Sequence, residues 1–345
     1  MPAPLVAMAS DDDSGAWDDF VRSRGDATGY QLWNWRSVFQ RAFGHSCHYL
    51  IARRGRSVTG VLPLVEIRSR LFGRALSSLP YVNYAGILAE DRDAARALVG
   101  HATELARSRG LSYVLMRHRH RVLPELPARS HKVTMLLALK ASTRAMWDSF
   151  DRKVRNHIRK AEKSHLSVES GGAELLNDFF AVFSRNMRDL GTPVYGRPLF
   201  EAILSQFPRD ARLHVVRFGA RPVAGALSYA YGNSVEIPSA SSLREYRDLC
   251  PNHLLYWRVI EQTVAAGYSV FDFGRSTRDD GAYRFKEQWG AAPEQLWWEY
   301  SFHGQQELPS NDRQGPTFRP LIEAWKRLPL GLATFVGPRI ARSIP

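Results

Sequence analysis

The sequence predicts an α/β (α+β) protein of two similar domains in tandem, each a mixed central sheet flanked by helices. Three observations predict it. The length, 345 residues, suits two domains of ordinary size. Apolar runs of strand length alternate with helical stripes along most of the chain, as in layered α/β packing. One order of elements also occurs twice. YLIARRGRSVTGVLPL and LHVVRFGARPVAGALSY each carry a strand, an Arg/Gly turn, a Val-x-Gly step and a second strand. Each is followed by an extended run, a helix of about four turns ending in glycine, and a short apolar strand. Such self-similarity points to duplication.

Residues 11–43 read as helical, because Trp17, Phe20, Leu32, Trp35, Val38 and Phe39 recur at helical spacing. Ser14 is placed to cap the first turn, with Asp18 and Asp19 near its positive end. A hairpin follows around Arg54-Gly55-Arg56. SSLPYVNYAGILA is extended but broken by Pro80 and Gly86. Ala94, Ala95, Leu98, Ala102, Leu105 and Ala106 share a stripe, which makes 91–109 a helix stopped by Gly110. LSYVLMRH is a buried strand. The second half reads as a basic helix at 151–165, an amphipathic helix at 173–190 and a hairpin turning at Gly219-Ala220. The strand SVEIPSAS, a helix at 252–266 and the strand YSVFDFG complete it. The expected domains are 1–140 and 141–303, followed by a basic amphipathic tail at 304–345.

Apolar residues make up 44% and charged residues 23%, which excludes a disordered chain or a collagen-like repeat. The net charge is +13, which favours anionic partners: nucleic acid, phosphates or an anionic membrane surface. Cys47 and Cys250 are too few for a disulfide framework or a zinc cage, and read as buried thiols of a reducing compartment. MPAPLVAMAS lacks the basic region and long apolar run of a signal peptide, and no apolar run is long enough to span a bilayer. The expectation is a cytoplasmic protein. In the tail, Phe318, Leu321, Ile322, Trp325 and Leu328 share a helical face among Lys326, Arg327, Arg339 and Arg342. Residues 317–345 therefore either pack back on the body or lie on the anionic inner-membrane surface as a peripheral contact.

Three stretches are candidates for chemistry. In FDFGRSTRDDGAYRFKEQWG, Asp272 stands near the end of an apolar strand, where α/β sheets bind ligands. Arg275, Ser276, Thr277 and Arg278 then make a polar cationic loop, and Tyr283, Lys286 and Trp289 follow at helical spacing. The alternatives are an Asp272 bonded to backbone, and Arg275 and Lys286 as solvated surface charges. In REYRDLCPNHLL, Arg244 and Arg247 precede a helix whose first free N–H groups, with Asn252, form an anion site. In DRKVRNHIRKAEKSH, Arg152, Arg155 and Arg159 share a face suited to phosphates, or simply to solvent. No dinucleotide, Walker, zinc-protease or nucleophile-elbow motif occurs. The histidines are scattered, His118 and His120 included, so no metal site is expected.

The runs NMRDLGTPVYGRPLFEAIL, RPVAGALSY, LLYWRVIEQ and FDFGRSTRDDGAYRFKEQWGAAPE resemble the FemAB-like proteins associated with exosortase/PEP-CTERM systems. The wider similarity is to Fem-type peptidyltransferases and the related GNAT-like acetyltransferase domain. It extends over roughly residues 15–345. The resemblance implies two tandem GNAT-like acyltransferase domains that transfer an acyl or aminoacyl group to an amine. It implies an acceptor that is a cell-envelope or exopolysaccharide precursor. The implied donor is an aminoacyl-tRNA or an acyl thioester of CoA or a carrier protein, with no tightly bound cofactor. The stretch Arg247–His253 lacks the glycines of the GNAT acyl-CoA loop, a departure that weighs against CoA.

Lys286 stands where Fem-type enzymes carry the lysine of their FK motif, which implies contact with an oxyanion or phosphate. Asp272 is the candidate for orienting or deprotonating the amine, with Glu287 as a second base candidate. Arg275 and Ser276 are expected to bind a substrate phosphate, and Arg244, Arg247, Asn252, Arg155 and Arg159 the donor's phosphates. Tyr195, Arg197 and Tyr283 are expected to shape the acceptor pocket. Tyr81, Asn83 and Tyr84 are expected to line an acceptor cleft between the domains. The competing readings are a non-catalytic envelope-glycan binding protein of the same fold, a conventional acyl-CoA N-acetyltransferase, and a nucleic-acid-binding protein.

Overall fold

A computed structural model of the chain describes residues 2–69, 73–304, 308–309 and 319–344. Two compact units emerge. The first holds Met1–Lys132, Gln295–Asn311 and Arg342–Pro345; the second holds Val133–Glu294 and Asp312–Ala341. The crossing thus falls at Lys132/Val133 rather than near residue 140, and a later segment returns to the first unit. Much of the expected tail belongs to the second unit. Phe318 lies outside the described residues.

The first unit contains β1 (Leu5–Met8), α1 (Ser14–Ser23), α2 (Trp35–Phe43), β2 (Cys47–Arg54), β3 (Ser57–Ser69), β4 (Gly73–Ser77), β5 (Leu88–Ala89), α3 (Arg92–Ser108) and β6 (Tyr113–His118). The expected helical stretch at 11–43 is two helices, separated by a tight turn at Gly29–Gln31. The hairpin β2–β3 turns at Gly55, whose φ of 59° suits a residue without Cβ. Asp91 caps α3, its carboxylate accepting the Ala94 N–H at 2.9 Å. The alanine stripe of α3 lets the helix lie close on the sheet, where Leu98, Ala102 and Ala106 join Leu50, Leu62, Leu64 and Val114 in one core.

The strand β7 (Ala128–Ala138) carries the chain into the second unit. There follow α4 (Thr143–Ser149), α5 (Arg152–Lys163), β8 (Leu166–Gly171), α6 (Leu176–Asp189), α7 (Arg197–Gln206), β9 (Ala211–Phe218), β10 (Arg221–Tyr231), β11 (Ser234–Ser242), α8 (Pro251–Ala265), β12 (Val270–Ser276) and α9 (Gly281–Glu287). β13 (Ala292–Phe302) then returns to the first unit, where its residues 297–302 pair antiparallel with β6. The last two helices, α10 (Arg319–Lys326) and α11 (Leu330–Ala341), pack on α6.

The repeated order seen in the sequence is repeated in pairing. β2–β3–β4 and β9–β10–β11 are each antiparallel runs, and each last strand connects through a helix to a parallel neighbour, β6 or β12. The core of the second unit gathers Val154, Ile158 and Ala161 of α5, Leu254, Leu255 and Trp257 of α8, and Phe271 and Phe273 of β12. Among the described residues, no helix is long and apolar enough to cross a membrane.

Candidate functional site

The parallel pair β11–β12 sets the geometry. Pairing runs Ser234–Val270, Val235–Phe271, Glu236–Asp272 and stops there. Phe271 and Phe273 face the core, so the intervening Asp272 takes the opposite face, as strand alternation requires. Glu236 and Asp272 sit side by side and are buried, at 6% and 2% exposure. Beyond them β12 shifts register against β7, from Asp272–Leu136 to Arg275–Thr134. Gly274 occupies this bulge with φ 74°, a backbone that side chains disfavour.

The bulge is held from two sides. Asp272 Oδ1 accepts the Thr134 hydroxyl at 2.6 Å and the Gly274 N–H at 2.8 Å. From α9, Lys286 Nζ donates to the carbonyls of Gly274 at 2.8 Å and Arg275 at 3.0 Å. Lys286 is buried rather than a solvated charge. Burial holds its ammonium down to about 8, while Asp272, Asp280 and Glu236 pull upward and Arg275 pushes further down. Asp280 caps α9, its Oδ1 accepting the Tyr283 N–H at 2.6 Å, and so fixes the helix that carries Lys286. Ser276 is buried with its hydroxyl unpartnered. Arg275 is half-buried, and Thr277, Arg278 and Asp279 form an exposed turn in which Asp279 has φ 63°.

The chain leaving β11 turns through Arg244–Leu249 into α8, so this helix begins at the same end of the sheet as the Gly274 bulge. Cys250, at the start, has φ 58°, and Pro251 takes the first helical position. Arg244 and Arg247 are exposed, and the Asn252 side-chain oxygen is buried without a partner. His253 ties this start to its surroundings. Its ring lies 3.1 Å from His157 of α5 and 3.4 Å from the Gln288 amide, and it stacks on Trp289. Burial holds His253 down to about 4, with His157 and Lys153 acting in the same direction. Burial pushes the Cys250 thiol up, and Lys160 acts against that.

Lys153, His157 and Lys160, one turn apart along α5, are therefore the residues beside the start of α8. Arg155 and Arg159, expected there, lie on another face, and Arg159 stacks on Trp147 at 5.4 Å. A cavity of about 780 Å³ opens between the α4–α5 junction and α9, lined by Lys153, Arg284, Phe285, Glu287 and Trp289 among others. Glu287 is on this wall, while Lys286 is buried beneath α9. Sequence reasoning counts Lys153 and Lys160 among the basic residues of α5 without singling them out, and it passes over Glu236, His157 and His253. For α5 the i, i+4, i+7 spacing was the available signal; for Glu236 there was only its place on a strand.

Other expected site residues have different surroundings. Tyr283 lies in the apolar core, not on a pocket rim. Tyr195 stacks on Phe183, and Arg197 pairs with Glu201 at 2.7 Å and with Asn177. Their loop is the seat of α11: a Cβ on Gly196 would stand 3.4 Å from Pro338. The side chains expected to shape an acceptor pocket are thus engaged within the second unit. Tyr81, Asn83 and Tyr84 belong to the first unit. Tyr81 donates to Arg342 O at 2.7 Å and meets His45 at 3.0 Å; Asn83 and Tyr84 are buried. The opening beyond the parallel pair β4–β6 is bridged there by the chain itself. Ser78 N donates to Leu115 O, Arg117 N to the Ser78 hydroxyl, and Ala85 N to Arg117 O. The first unit fills the place that corresponds to the Asp272 bulge.

Two α/β units with one repeated topology, a parallel pair ending at buried acids and a cation-rimmed helix start define a tandem GNAT-fold protein. Residues 148–287, within the second unit, match the acetyltransferase (GNAT) domain family. Among solved structures the chain is similar to FemX, with 17% identity and TM-score 0.65 over 85% of this chain and 96% of that one. It is also similar to a tandem GNAT protein from the clavulanic acid biosynthesis pathway, with 15% identity and TM-score 0.54 over 88% and 99%. A third is the C-terminal domain of a putative lysylphosphatidylglycerol synthetase from Agrobacterium fabrum, with 13% identity and TM-score 0.55 over 84% and 92%. No curated protein sequence matches.

Proposed function

We propose that the second unit transfers an acyl or aminoacyl group from an anionic donor to an amine, with an aminoacyl-tRNA as donor and a cell-envelope or exopolysaccharide precursor as acceptor. The observation that carries this is the helix start of α8, which lies at the same end of the sheet as the Asp272 bulge, with Lys153 and Lys160 of α5 acting on it and Arg244 and Arg247 in the turn before it. At this start the Cys250 carbonyl takes the His253 and Leu254 N–H groups and leaves that of Asn252, so the four cations on the flanking segments are what suits the phosphates of a donor. α5 also exposes Arg152 and Lys163, a density of cations suited to a polyanion. The absence of glycines from Arg247–His253, where Cys250 adopts φ 58° and Pro251 blocks one N–H, weighs against the compact pyrophosphate of CoA. The resemblance to Fem-type transferases and the synthetase named by the Agrobacterium neighbour support an aminoacyl donor.

The chemistry is attack of a neutral amine on an ester carbonyl. A C–N bond forms, the C–O bond breaks, and the leaving ribose hydroxyl receives a proton. In this reading Lys286 and Asp272 fix the bulge, and the Lys286 charge stabilises the negative charge that develops nearby. The test supplies acyl-labelled aminoacyl-tRNA or acetyl-CoA to the pure protein with an envelope-precursor extract and follows the label by mass spectrometry. Transfer from the aminoacyl-tRNA is expected. Lys153→Ala with Lys160→Ala should raise the donor KM about tenfold at nearly constant kcat. Transfer from acetyl-CoA alone would replace this reading with a conventional acetyltransferase, and binding of the precursor without transfer would reduce the fold to a binding module.

A further inference from the structure

We propose that α10, α11 and the end of α6 form a surface that docks on a bilayer carrying anionic headgroups. α11 is oriented against the usual rule for an amphipathic helix. Its small residues Ala333, Gly337 and Ala341 face the second unit and are buried. The fit is close: a Cβ on Gly337 would stand 2.8 Å from Val194 N and 3.1 Å from Val194 O. Two large apolar side chains turn outward, Leu332 at 45% exposure and Phe335 at 64%, while Leu330, Val336 and Ile340 are half-buried. α10 adds Leu321 at 63%, and the end of α6, which meets α10 at Gly191 and Ile322, adds Leu190 at 53%. Four of the seven large hydrophobics exposed among the described residues are therefore on these three helices, a clustering that marks an interaction surface.

Charge selects the occupant. Arg319, Lys326 and Arg339 lie on the same two helices and Arg327 just past α10, against the carboxylates of Glu323, which Lys326 holds at 2.6 Å, and of Asp189 at the end of α6, which Arg188 holds at 2.6 Å. The Arg339 guanidinium lies 4.1 Å over the exposed Phe335 ring and donates to the Phe335 carbonyl at 2.7 Å. Apolar tip and positive charge thus leave the protein at one point. The core of a protein–protein interface is depleted of charge, whereas a helix lying in a membrane interface combines apolar anchors with cations that meet lipid phosphates. Helices of 8 and 12 residues cannot span a bilayer core but can lie along its surface.

The experiment is flotation of the full chain with vesicles of phosphatidylcholine alone or with about a quarter phosphatidylserine. Binding to the anionic vesicles is expected, at least about tenfold stronger than to neutral ones and weakened by salt. Leu332→Asp with Phe335→Asp, and separately Lys326→Glu with Arg327→Glu, should each abolish it while leaving the circular-dichroism melt unchanged. Failure to bind, or binding that both double variants retain, overturns the proposal. So does a dimer in sedimentation velocity that the Leu332/Phe335 variant dissolves in a protein without affinity for vesicles, since the face would then join copies of the chain. None of these outcomes depends on acyl transfer, so they fail separately from the proposed reaction.

Discussion

An ammonium at 7% exposure, bonded to the carbonyls of Gly274 and Arg275, is a charge the protein holds at some expense. Burial lowers the Lys286 ammonium from 10.5 to about 8. The unfolded chain therefore binds more protons than the folded one between about 8 and 10.5, and the contribution of Lys286 to stability rises with pH across that window. Transfer that relies on the charge behaves oppositely and falls as pH rises through about 8. In Lys286→Arg the guanidinium stays protonated, so kcat/KM plotted against pH should lose that fall. A second prediction concerns Gly274, where φ is 74°. Gly274→Ala should cost about 1–2 kcal/mol, read as a lower midpoint in urea unfolding. The sequence showed Asp272 and Lys286 as members of one motif, but not that they grip the same bulge. Which strand supplies Thr134, and which acid stands beside Asp272, depends on sheet pairing between distant segments. Neighbouring letters carry no trace of it.

At the scale of elements, local rules worked where burial follows side-chain size. The hairpins, α3, α8 and β12 were legible because apolar periodicity and a glycine at a turn or end coincide there, and α5 because of its narrow apolar stripe. They failed for α11, because a helix that packs through Ala333, Gly337 and Ala341 leaves Leu332 and Phe335 on the outside. Gly337→Val should thus overpack the seat at Val194, at a cost of about 1–3 kcal/mol, and speed limited proteolysis around α11 while α8 and β12 stay protected. α9 depends on a cap instead. Asp280→Ala removes the acceptor for the Tyr283 N–H and should cost about 1 kcal/mol. Because α9 carries Lys286, the same variant should lower transfer by more than its effect on stability alone predicts, which kcat measured well below the melting point would reveal.

At the scale of the whole molecule, tandem architecture was legible because the chain repeats its order of elements, yet the exact boundary was not. Strands that pair with remote partners carry no local signal of their partner, and β13 leaves the second unit to pair with β6 of the first. A fragment of residues 1–140 consequently lacks the strand that covers the edge of β6. It should be unfolded or aggregated, by circular dichroism and amide chemical-shift dispersion. Adding residues 292–304 through a flexible linker should restore a folded first unit, and a folded 1–140 fragment would refute this account.

The return of β13 also bears on how the protein is made. Synthesis runs from the amino end, so every strand of the second unit's own ladder, β8 to β12, leaves the ribosome before β13 does. The half that is translated first keeps its β6 edge open until β13 emerges, by which time the strands β8 to β12 are all available to one another. The first sheet to begin emerging is thus the last to receive all its strands.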